Sequence, residues 1–240
     1  MRIDARGMHF SALNEQVRSC AESEIEIDNC IGQRYIACGL SGKKITVNGT
    51  PGNALGAYLD GCDVTVRGDV QEATGDTMNG GSICVFGSAG DATGYAMRGG
   101  RIFVEGNVGY RCGIHMKAYK ENKPAIVIGG KAGSFLGEYQ AGGIIVVLGI
   151  GSEDRQPVGN FCGTGMHGGR IYLRTAHLPK DLPEQVVAHK ATEEDMQIAA
   201  PLIQNYAEKF GADAESLLRD EYYVLRPNTQ NPYKQLYVTN

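Results

Sequence analysis

Several features that would assign a function directly are scarce in this chain of 240 residues. Tryptophan is absent, and no uninterrupted apolar stretch approaches the roughly 18 residues of a membrane span. The first ten residues, "MRIDARGMHF", lack the apolar segment of a signal peptide. The formal net charge is −4, whereas nucleic-acid binding favours clustered positive charge. We therefore expect a cytoplasmic protein that binds neither a membrane nor nucleic acid.

Paired cysteines are missing as well. The seven cysteines are scattered and contain no C-x-x-C pair: Cys20, Cys30, Cys38, Cys62, Cys84, Cys112 and Cys162. Such a set predicts reduced thiols that pack as small apolar side chains. A zinc or iron–sulfur site built by this chain alone would need closer spacing. We expect no metal site and no cofactor on this chain.

Glycine, in contrast, is abundant, since 34 glycines are about twice the usual share of roughly 7%. They belong to a repeat with a period of 19 residues. Its copies are "GNALGAYLDGCDVTVRG" from Gly52, "QEATGDTMNGGSICVFG" from Gln71, "GDATGYAMRGGRIFVEG" from Gly90, "GYRCGIHMKA" from Gly109, "GSFLGEYQAGGIIVVLG" from Gly133 and "GNFCGTGMHGGRIYLR" from Gly159, with a weaker copy from Gln33. Polar insertions around 119–123 and 151–157 lengthen the later intervals, as loops do in a stacked repeat.

The aligned copies contain four apolar columns. Two of them, two residues apart and mostly β-branched, predict a short strand with one face turned inward. They are Ile45, Val64, Ile83, Ile102, Ile126, Ile145, Ile171 and Val47, Val66, Val85, Val104, Ile128, Val147, Leu173. The others are Leu40, Leu59, Met78, Met97, Met116, Gln140, Met166 and Ile36, Leu55, Thr74, Thr93, Cys112, Leu136, Cys162. All four must face one interior, and we interpret the methionines as core packing and not as a soft-metal site.

Glycine occupies three further columns, which predict three turns in each unit. They are Gly42, Gly61, Gly80, Gly99, Gly142, Gly168; Gly49, Gly68, Gly87, Gly106, Gly130, Gly149; and Gly56, Gly75, Gly94, Gly113, Gly137, Gly163. Turns at residues that tolerate positive φ or close backbone approach fit a triangular coil. We predict an all-β protein, a right-handed parallel β-helix of about seven glycine-rich coils. A phosphate-binding interpretation of "GSAGDATG" lacks both the following helix and the Lys-Ser/Thr of a P-loop.

The two ends do not repeat. Residues 10–21 have helical spacing, with Ser11 as N-cap, and this helix could close one end of the β-helix. In the tail, Asp181 and Glu184 have capping-box spacing, and "TEEDMQIAAPLIQNYAEKFG" predicts a helix that ends at Gly211, with a kink or break at Pro201.

The last segments complete the predicted organisation. "AESLLRDE" predicts a further short helix, and "YYVLRPNTQNPYKQLYV" an extended segment that either docks on a neighbour or packs back on its own β-helix. We divide the chain into an N-terminal helix and capping strand (1–32), the β-helix (33–175), and C-terminal helices with an extended arm (176–240).

No catalytic constellation emerges from the sequence. His115 and His167 fall in different columns and coils, and the acidic residues Asp63, Asp69, Asp76 and Asp91 do not form one column. Arg111, His115 and Lys117 form the most basic spot on the repeat, which either faces an anion or is simply solvated. We therefore predict no catalytic, cofactor-binding or metal-binding residue.

The repeat resembles a known family, the glycine-rich GXGXG β-helix that forms the C-terminal domain of the large (alpha) subunit of glutamate synthase. The most specific segments are "GYAMRGGRIFVEGNVGYRCGIHMK", "GEYQAGGIIVVLG" and "GTGMHGGRIYLR". With the flanking "LNEQVRSCAESEIEIDNCIGQRYIACGLSG" and "RPNTQNPYKQLYV", the chain is similar to a free-standing version of that domain. One of the subunits of formylmethanofuran dehydrogenase has a similar β-helix, and a chain of N-methylglutamate synthase is related. Gln71, Gln140 and Ala118 depart from otherwise regular columns.

The resemblance implies one part of a multi-chain enzyme. In the family, a glutamine amidotransferase releases ammonia, and a synthase with FMN and an iron–sulfur cluster uses it, while the β-helix is a scaffold between them. We therefore expect a non-catalytic scaffold subunit of a glutamate synthase, with FMN and the cluster on a partner, and with self-association left open. The alternatives are a structural subunit of another oxidoreductase complex, of the N-methylglutamate synthase or formylmethanofuran dehydrogenase type, and a polysaccharide-cleaving enzyme, which would need clustered carboxylates.

Overall fold

The computed structural model describes residues 1–152 and 154–228, and its main element is one sheet of eleven strands. The strands are β1 (Arg2–Asp4), β2 (Glu24–Ile31), β3 (Lys44–Thr50), β4 (Asp60–Arg67), β5 (Gly80–Val85), β6 (Arg101–Val104), β7 (Ala125–Ile128), β8 (Ala141–Val147), β9 (Gly168–Arg174), β10 (Val186–Lys190) and β11 (Tyr222–Pro227). The helices are α1 (Phe10–Ser19), α2 (Glu193–Phe210) and α3 (Ala214–Arg219). None of these helices is long and apolar enough to cross a membrane.

The sheet is mostly parallel and follows the chain. Strands β1 to β9 lie in sequence order, each pairing in parallel with the next. Strand β11 lies antiparallel between β9 and β10 at the far end. A parallel sheet built from consecutive strands is the arrangement of a β solenoid, so the predicted fold class is confirmed at this level.

The strand register reproduces the apolar columns of the repeat. Ile45, Val64, Ile83, Ile102, Ile126, Ile145 and Ile171 are direct partners across β3 to β9, and each is at most 1% exposed. The column two residues later is equally buried, as side chains on one face of a strand should be. In the other two columns only Leu40 is partly exposed. The prediction of a common interior is correct.

A second line of pairing closes the coils on another side. Single parallel bridges join Val70, Ala89, Val108, Ala132 and Val158 in succession. Beside them, a polar side chain of one coil accepts the backbone N–H of the next: Asp69 from Ser88, Ser88 from Asn107, and Asn107 from Lys131, at 2.7, 3.1 and 2.8 Å. These bonds fix one coil above the next. Two of them span 19 residues, the period of the repeat, and the third spans 24 because the polar insertion around 119–123 intervenes.

The third glycine column lies at a corner where the backbone is left-handed. Gly75 has φ +72°, and a Cβ placed there would lie 2.5 Å from Cδ1 of Ile102 in the next coil. The isoleucine therefore fills the space that a side chain would need. In the second column the reason for glycine is different: at Gly87 a Cβ would lie 2.7 Å from the carbonyl oxygen of Gly68. Both predicted uses of glycine, positive φ and close approach, occur.

The N-terminal segment extends the solenoid. Helix α1 connects two parallel strands, and its Leu13 and Val17 belong to the same interior apolar cluster as the repeat residues. The helix thus contributes to closing this end of the interior. The predicted N-cap Ser11 is wrong: the cap is His9, whose side chain accepts the N–H of Ser11.

The C-terminal segment departs from prediction at one place. The spacing of Asp181 and Glu184 does not begin a helix; a turn there leads into β10. Leu178 and Leu182 from this turn pack against the interior cluster, which explains why the segment is not free to coil as a separate helix.

Helix α2 ends as predicted at Gly211, which has φ +70°. It continues through Pro201, so the break that was one of the two alternatives at this proline does not occur. Strand β11 shows that residues 222–227 of the predicted extended arm pack on their own sheet. The rest of that arm, 229–240, lies outside the described residues.

Helix α2 packs on the outer face of the sheet. Its Leu202, Ile203 and Tyr206 form a second apolar cluster with residues of β6 to β9 and β11. The hydroxyl of Tyr206 donates to the carbonyl oxygen of Glu105 at 3.2 Å, and any side chain at Gly129 would overlap that hydroxyl. Glycine at 129 therefore makes room for the helix, which covers only the C-terminal half of the outer face.

We predict that Gly75→Ala lowers the free energy of unfolding by about 2–4 kcal/mol, because alanine must adopt a left-handed backbone and displace Ile102. Gly42→Ala is the matched control, since Gly42 also has positive φ but open space around it. It should cost only about 1–2 kcal/mol. Urea denaturation of both variants measures the difference.

The double variant Gly75→Ala/Ile102→Val tests the packing itself. Valine lacks the Cδ1 atom, so the double variant should lose clearly less stability than the sum of the two single variants. If the losses of stability of the two single variants simply add up in the double variant, Ile102 is not the reason for glycine at position 75.

Candidate functional site

The basic spot predicted at Arg111, His115 and Lys117 is not a free cluster of positive charge. Nε of Arg111 donates to a carboxylate oxygen of Glu138 at 2.9 Å, and the guanidinium lies 5.0 Å from the ring centre of Phe135. The imidazole of His115 stacks on Tyr139, while Lys117 is exposed. Because Arg111 already has a carboxylate partner, the spot is a poor anion site.

These side chains belong instead to a larger surface, which we call the aromatic face: Tyr95, Arg111, His115, Phe135, Tyr139 and Phe161. Two rows of ring contacts run along the coils. In one, the rings of Phe135 and Phe161 stack with their centres 5.1 Å apart. In the other, the His115 ring stacks on Tyr139 at 5.2 Å and meets the Tyr95 ring edge-on at 6.0 Å. Glu138 joins the rows, since its carboxylate binds Arg111 and its carbonyl accepts the N–H of His115.

The aromatic face is not required by the corner that carries it. Arg111, His115, Phe135, Tyr139 and Phe161 all have φ between +53° and +61°. In the earlier coils the equivalent left-handed positions hold small residues at Ala54, Ala73, Ala92, Ala96 and Thr77, and tyrosines at Tyr35 and Tyr58. The same corner therefore forms with small side chains. Tyr139 and Phe161 remain 36% and 48% exposed. Each lies against another ring of the aromatic face, and a contiguous apolar patch of this kind is a feature of interfaces.

Other sequence candidates have local backbone partners. The N–H of His167 donates to the carbonyl oxygen of Gln140, and its Nδ1 lies 3.2 Å from the carbonyl oxygen of Gly165. Asp69 and Asp91 accept backbone N–H groups of Ser88 and Tyr110, so they have structural roles. Within residues 1–152 and 154–228, no three His, Cys, Asp or Glu residues are placed to hold a metal ion.

The cysteines behave as core residues. Five of the seven are buried: Cys30, Cys62, Cys84, Cys112 and Cys162. Burial raises the pKa of Cys30 and Cys84 to about 11 and that of Cys112 and Cys162 to about 12. These thiols are protonated at neutral pH, and only the thiolate is an effective nucleophile or metal ligand.

A buried ionic cluster centred on Asp195 was not anticipated from the sequence. One carboxylate oxygen accepts from Nε2 of His189 at 3.0 Å and from the N–H and hydroxyl of Thr192. The other oxygen faces Arg226, in direct contact, and Arg170 at 3.6 Å. The spacing Thr192-x-x-Asp195 is a capping box and could have revealed part of this cluster.

The ionic cluster connects the start of α2 to three strands of the sheet. Asp195 is 2% exposed, and its partners come from β9, β10 and β11. Burial by itself raises the pKa of Asp195, but the hydrogen bonds from Thr192 and His189 and the charge of Arg226 outweigh it and lower the pKa to about 2. The carboxylate is thus ionised and fully occupied, and it holds the start of α2 to the end of the sheet.

Comparison with known proteins agrees with this architecture. The family model described as "GXGXG motif" matches residues 12–229. The chain belongs to the GXGXG family. Among curated proteins, an uncharacterized protein of Methanocaldococcus jannaschii, MJ1350, is 42% identical over 249 residues, which cover 98% of this chain and 95% of that protein.

A solved structure shares the GXGXG-family fold of this chain. It is the formyltransferase/hydrolase complex (FhcABCD) from Methylorubrum extorquens in complex with methylofuran, in which one chain matches with a TM-score of 0.63 and 23% identity. The match covers 83% of this chain and 71% of that chain. At this identity the likeness concerns the fold. The family assignment made from the glycine-rich segments is confirmed.

We predict that Asp195→Asn lowers the free energy of unfolding by about 3 kcal/mol at pH 7, because it leaves buried donors and cations without their carboxylate. The folded pKa lies below the ordinary value, so the carboxylate stabilises the protein above about pH 4 and this contribution is lost as the pH falls towards 2. The difference between wild type and variant should therefore shrink in urea titrations below pH 4.

Asp154→Asn is the control, because Asp154 is exposed. It should leave stability within about 0.5 kcal/mol of wild type at every pH. A constant difference for Asp195→Asn from pH 7 to pH 2.5 would contradict the role of the ionised carboxylate.

Proposed function

We propose that this chain is a non-catalytic scaffold subunit of a multi-chain glutamate synthase. It positions a glutamine amidotransferase and an FMN/iron–sulfur synthase, and it helps to shape the route of ammonia between them. Membership of the GXGXG family and the segments that resemble the glutamate synthase domain support this proposal. As part of this proposal, the chain consists of an N-terminal helix and capping strand (1–32), a β-helix (33–175) and a C-terminal part (176–240). The coils of the β-helix wind in the right-handed sense.

The observation that carries the proposal is the aromatic face. Its side chains are exposed or partly exposed, contact one another through their rings, and are held on a solenoid corner that small residues form equally well elsewhere. Aromatic and arginine side chains are enriched in the centres of protein interfaces and often supply most of the binding energy. A partner subunit that covers Tyr139 and Phe161 would bury this surface.

The expected cofactors fit a partner better than this chain. An iron–sulfur cluster needs several cysteine thiolates close together. Here the buried cysteines lie in separate coils, and burial raises the pKa of their thiols. We therefore assign FMN and the cluster to the synthase partner, where the chemistry would take place.

A second candidate is a structural subunit of another oxidoreductase complex, of the N-methylglutamate synthase or formylmethanofuran dehydrogenase type. The likeness of fold to a chain of the formyltransferase/hydrolase complex favours it. Both candidates make this chain an assembly subunit, and they differ in the partners that it holds.

Isolation of the tagged chain from its native cells under mild conditions should recover partners in fixed ratio. An amidotransferase together with an FMN-containing synthase would support the glutamate synthase. Subunits of a molybdenum or tungsten enzyme would instead assign the chain to the second candidate. Recovery of the chain alone would contradict both.

The aromatic face can be tested in the same preparation. Phe161→Arg and Tyr139→Arg should lower partner recovery about tenfold or more, since one lost anchor residue costs about 2 kcal/mol or more. Tyr58→Arg is the matched control, because Tyr58 is an exposed tyrosine at the equivalent corner of an earlier coil. Equal recovery with all three variants would exclude the aromatic face as the docking surface.

A further inference from the structure

A groove lies on the outer face of the sheet where α2 stops covering it. Its volume is about 740 Å³, within the usual range of about 300–1,000 Å³ for small-molecule sites. The floor is formed by β4 to β6, with Thr65, Ser82 and Phe103. One wall is the end of α2, and the other is the polar insertion at 121–123. The groove is therefore built by the insertion and by α2, two features that the repeat itself does not need.

The groove brings together positive charges that the fold does not pair. Arg101 from β6, Lys123 from the insertion and Lys209 from α2 all line it and are exposed. Among the described residues, none of the three has a carboxylate within ion-pair distance; Lys209 lies over the ring of Phe103 at 5.2 Å. In a chain of net charge −4, such a concentration of unpaired cations is unexpected.

The two carboxylates that line the groove, those of Asp63 and Glu121, do not balance its positive charges. In the strand register Asp63 pairs with Lys44 on one side and Ser82 on the other, and Ser82 pairs with Arg101. Adjacent strands lie about 4.8 Å apart, so Arg101 is two strands, or about 10 Å, from Asp63. Glu121, on the insertion, is the other acidic residue that lines the groove. Lys44 also lines the groove but pairs with Glu24 outside it, at 3.7 Å. Three cations without an ion-pair partner among the described residues thus face two carboxylates, and the excess lies at the α2 end.

Uncharged donors accompany these cations. The hydroxyls of Thr65 and Ser82 and the amides of Asn122 and Asn205 line the groove, and within the described residues the fold gives none of these side chains a hydrogen-bond partner. Cationic and neutral donors around a cavity of this size are the groups that bind oxyanions.

We propose that this groove is a binding site for a small oxyanion ligand, a molecule with two or more carboxylate or phosphate groups. Arg101, Lys123 and Lys209 pair with its charges, and Ser82 and Thr65 donate hydrogen bonds from the floor. The site lies on the outer face of the strands and involves none of the residues of the aromatic face. It is therefore independent of the proposed scaffold role.

Calorimetric titration of the purified full chain at low salt (about 20 mM) tests the site with two probes, inorganic pyrophosphate and glutarate. Saturable binding of either probe at one site per chain is expected, and the preferred probe tells phosphate from carboxylate ligands. Binding should weaken several-fold at about 150 mM salt, because exposed charges are screened.

Variants assign the binding to the groove. Arg101→Ala and Lys209→Ala should each weaken binding about tenfold or more, because a charge-assisted hydrogen bond contributes about 1.5–3 kcal/mol. Ser82→Asp should abolish it, since the new carboxylate lies next to Arg101 in the strand register. Lys180→Ala, an exposed lysine outside the groove, is the control and should bind like wild type.

Circular dichroism should show that all four variants keep the wild-type fold. No saturable binding of either probe, or equal weakening by Lys180→Ala and Arg101→Ala, would overturn the proposal. Neither result would affect partner recovery, so failure of the site and failure of the scaffold role are distinguishable.

Discussion

Every other feature of this protein depends on the stacking of each coil directly upon the previous one. Parallel pairing places Ile83, Ile102 and Ile126 in one line, and the interior forms because four such lines meet. Stacking at the separation of paired strands leaves no room for side chains where coils turn tightly. The spacing of the coils therefore requires glycine at these points. At Gly75 the end of the Ile102 side chain fills the space that a Cβ would need, and at Gly87 the backbone of Gly68 does.

Features that interrupt the repeat decide which parts of the solenoid surface remain accessible. Helix α2 covers half of the outer face, where Gly129 leaves room for Tyr206, and the Asp195 cluster holds the start of that helix. The turn with Leu178 and Leu182 packs against the far end of the interior. These covering elements leave two surfaces accessible, the groove at the end of α2 and the aromatic face.

A repeated backbone allows a direct comparison between coils of one molecule. Where two coils have the same conformation but different side chains, the difference is not a requirement of the fold. Ala92 and Arg111 occupy the same left-handed position, as do Ala96 and His115. The large side chains in the later coils are therefore free to serve contacts outside the chain, which is why the aromatic face, and not the glycine-rich framework, carries the proposed function.

The sequence by itself determined the strands of the repeat, their register and the common interior, because a 19-residue period repeats the same local geometry and needs no information about distant contacts. It also determined the end of α2, because Gly211 is a local signal. Tertiary structure alone decided the rest. The stacking of His115 on Tyr139 joins two coils across an insertion, and the partners of Asp195 come from three strands, the farthest of them 31 residues away at Arg226. Asp181 and Glu184 have the spacing of a cap, yet packing of Leu182 on the interior keeps that segment from forming a helix. The repeating strands and turns can be predicted because each copy shows the same residue pattern. Contacts that occur once, such as those of Asp195, have no repeated pattern in the sequence.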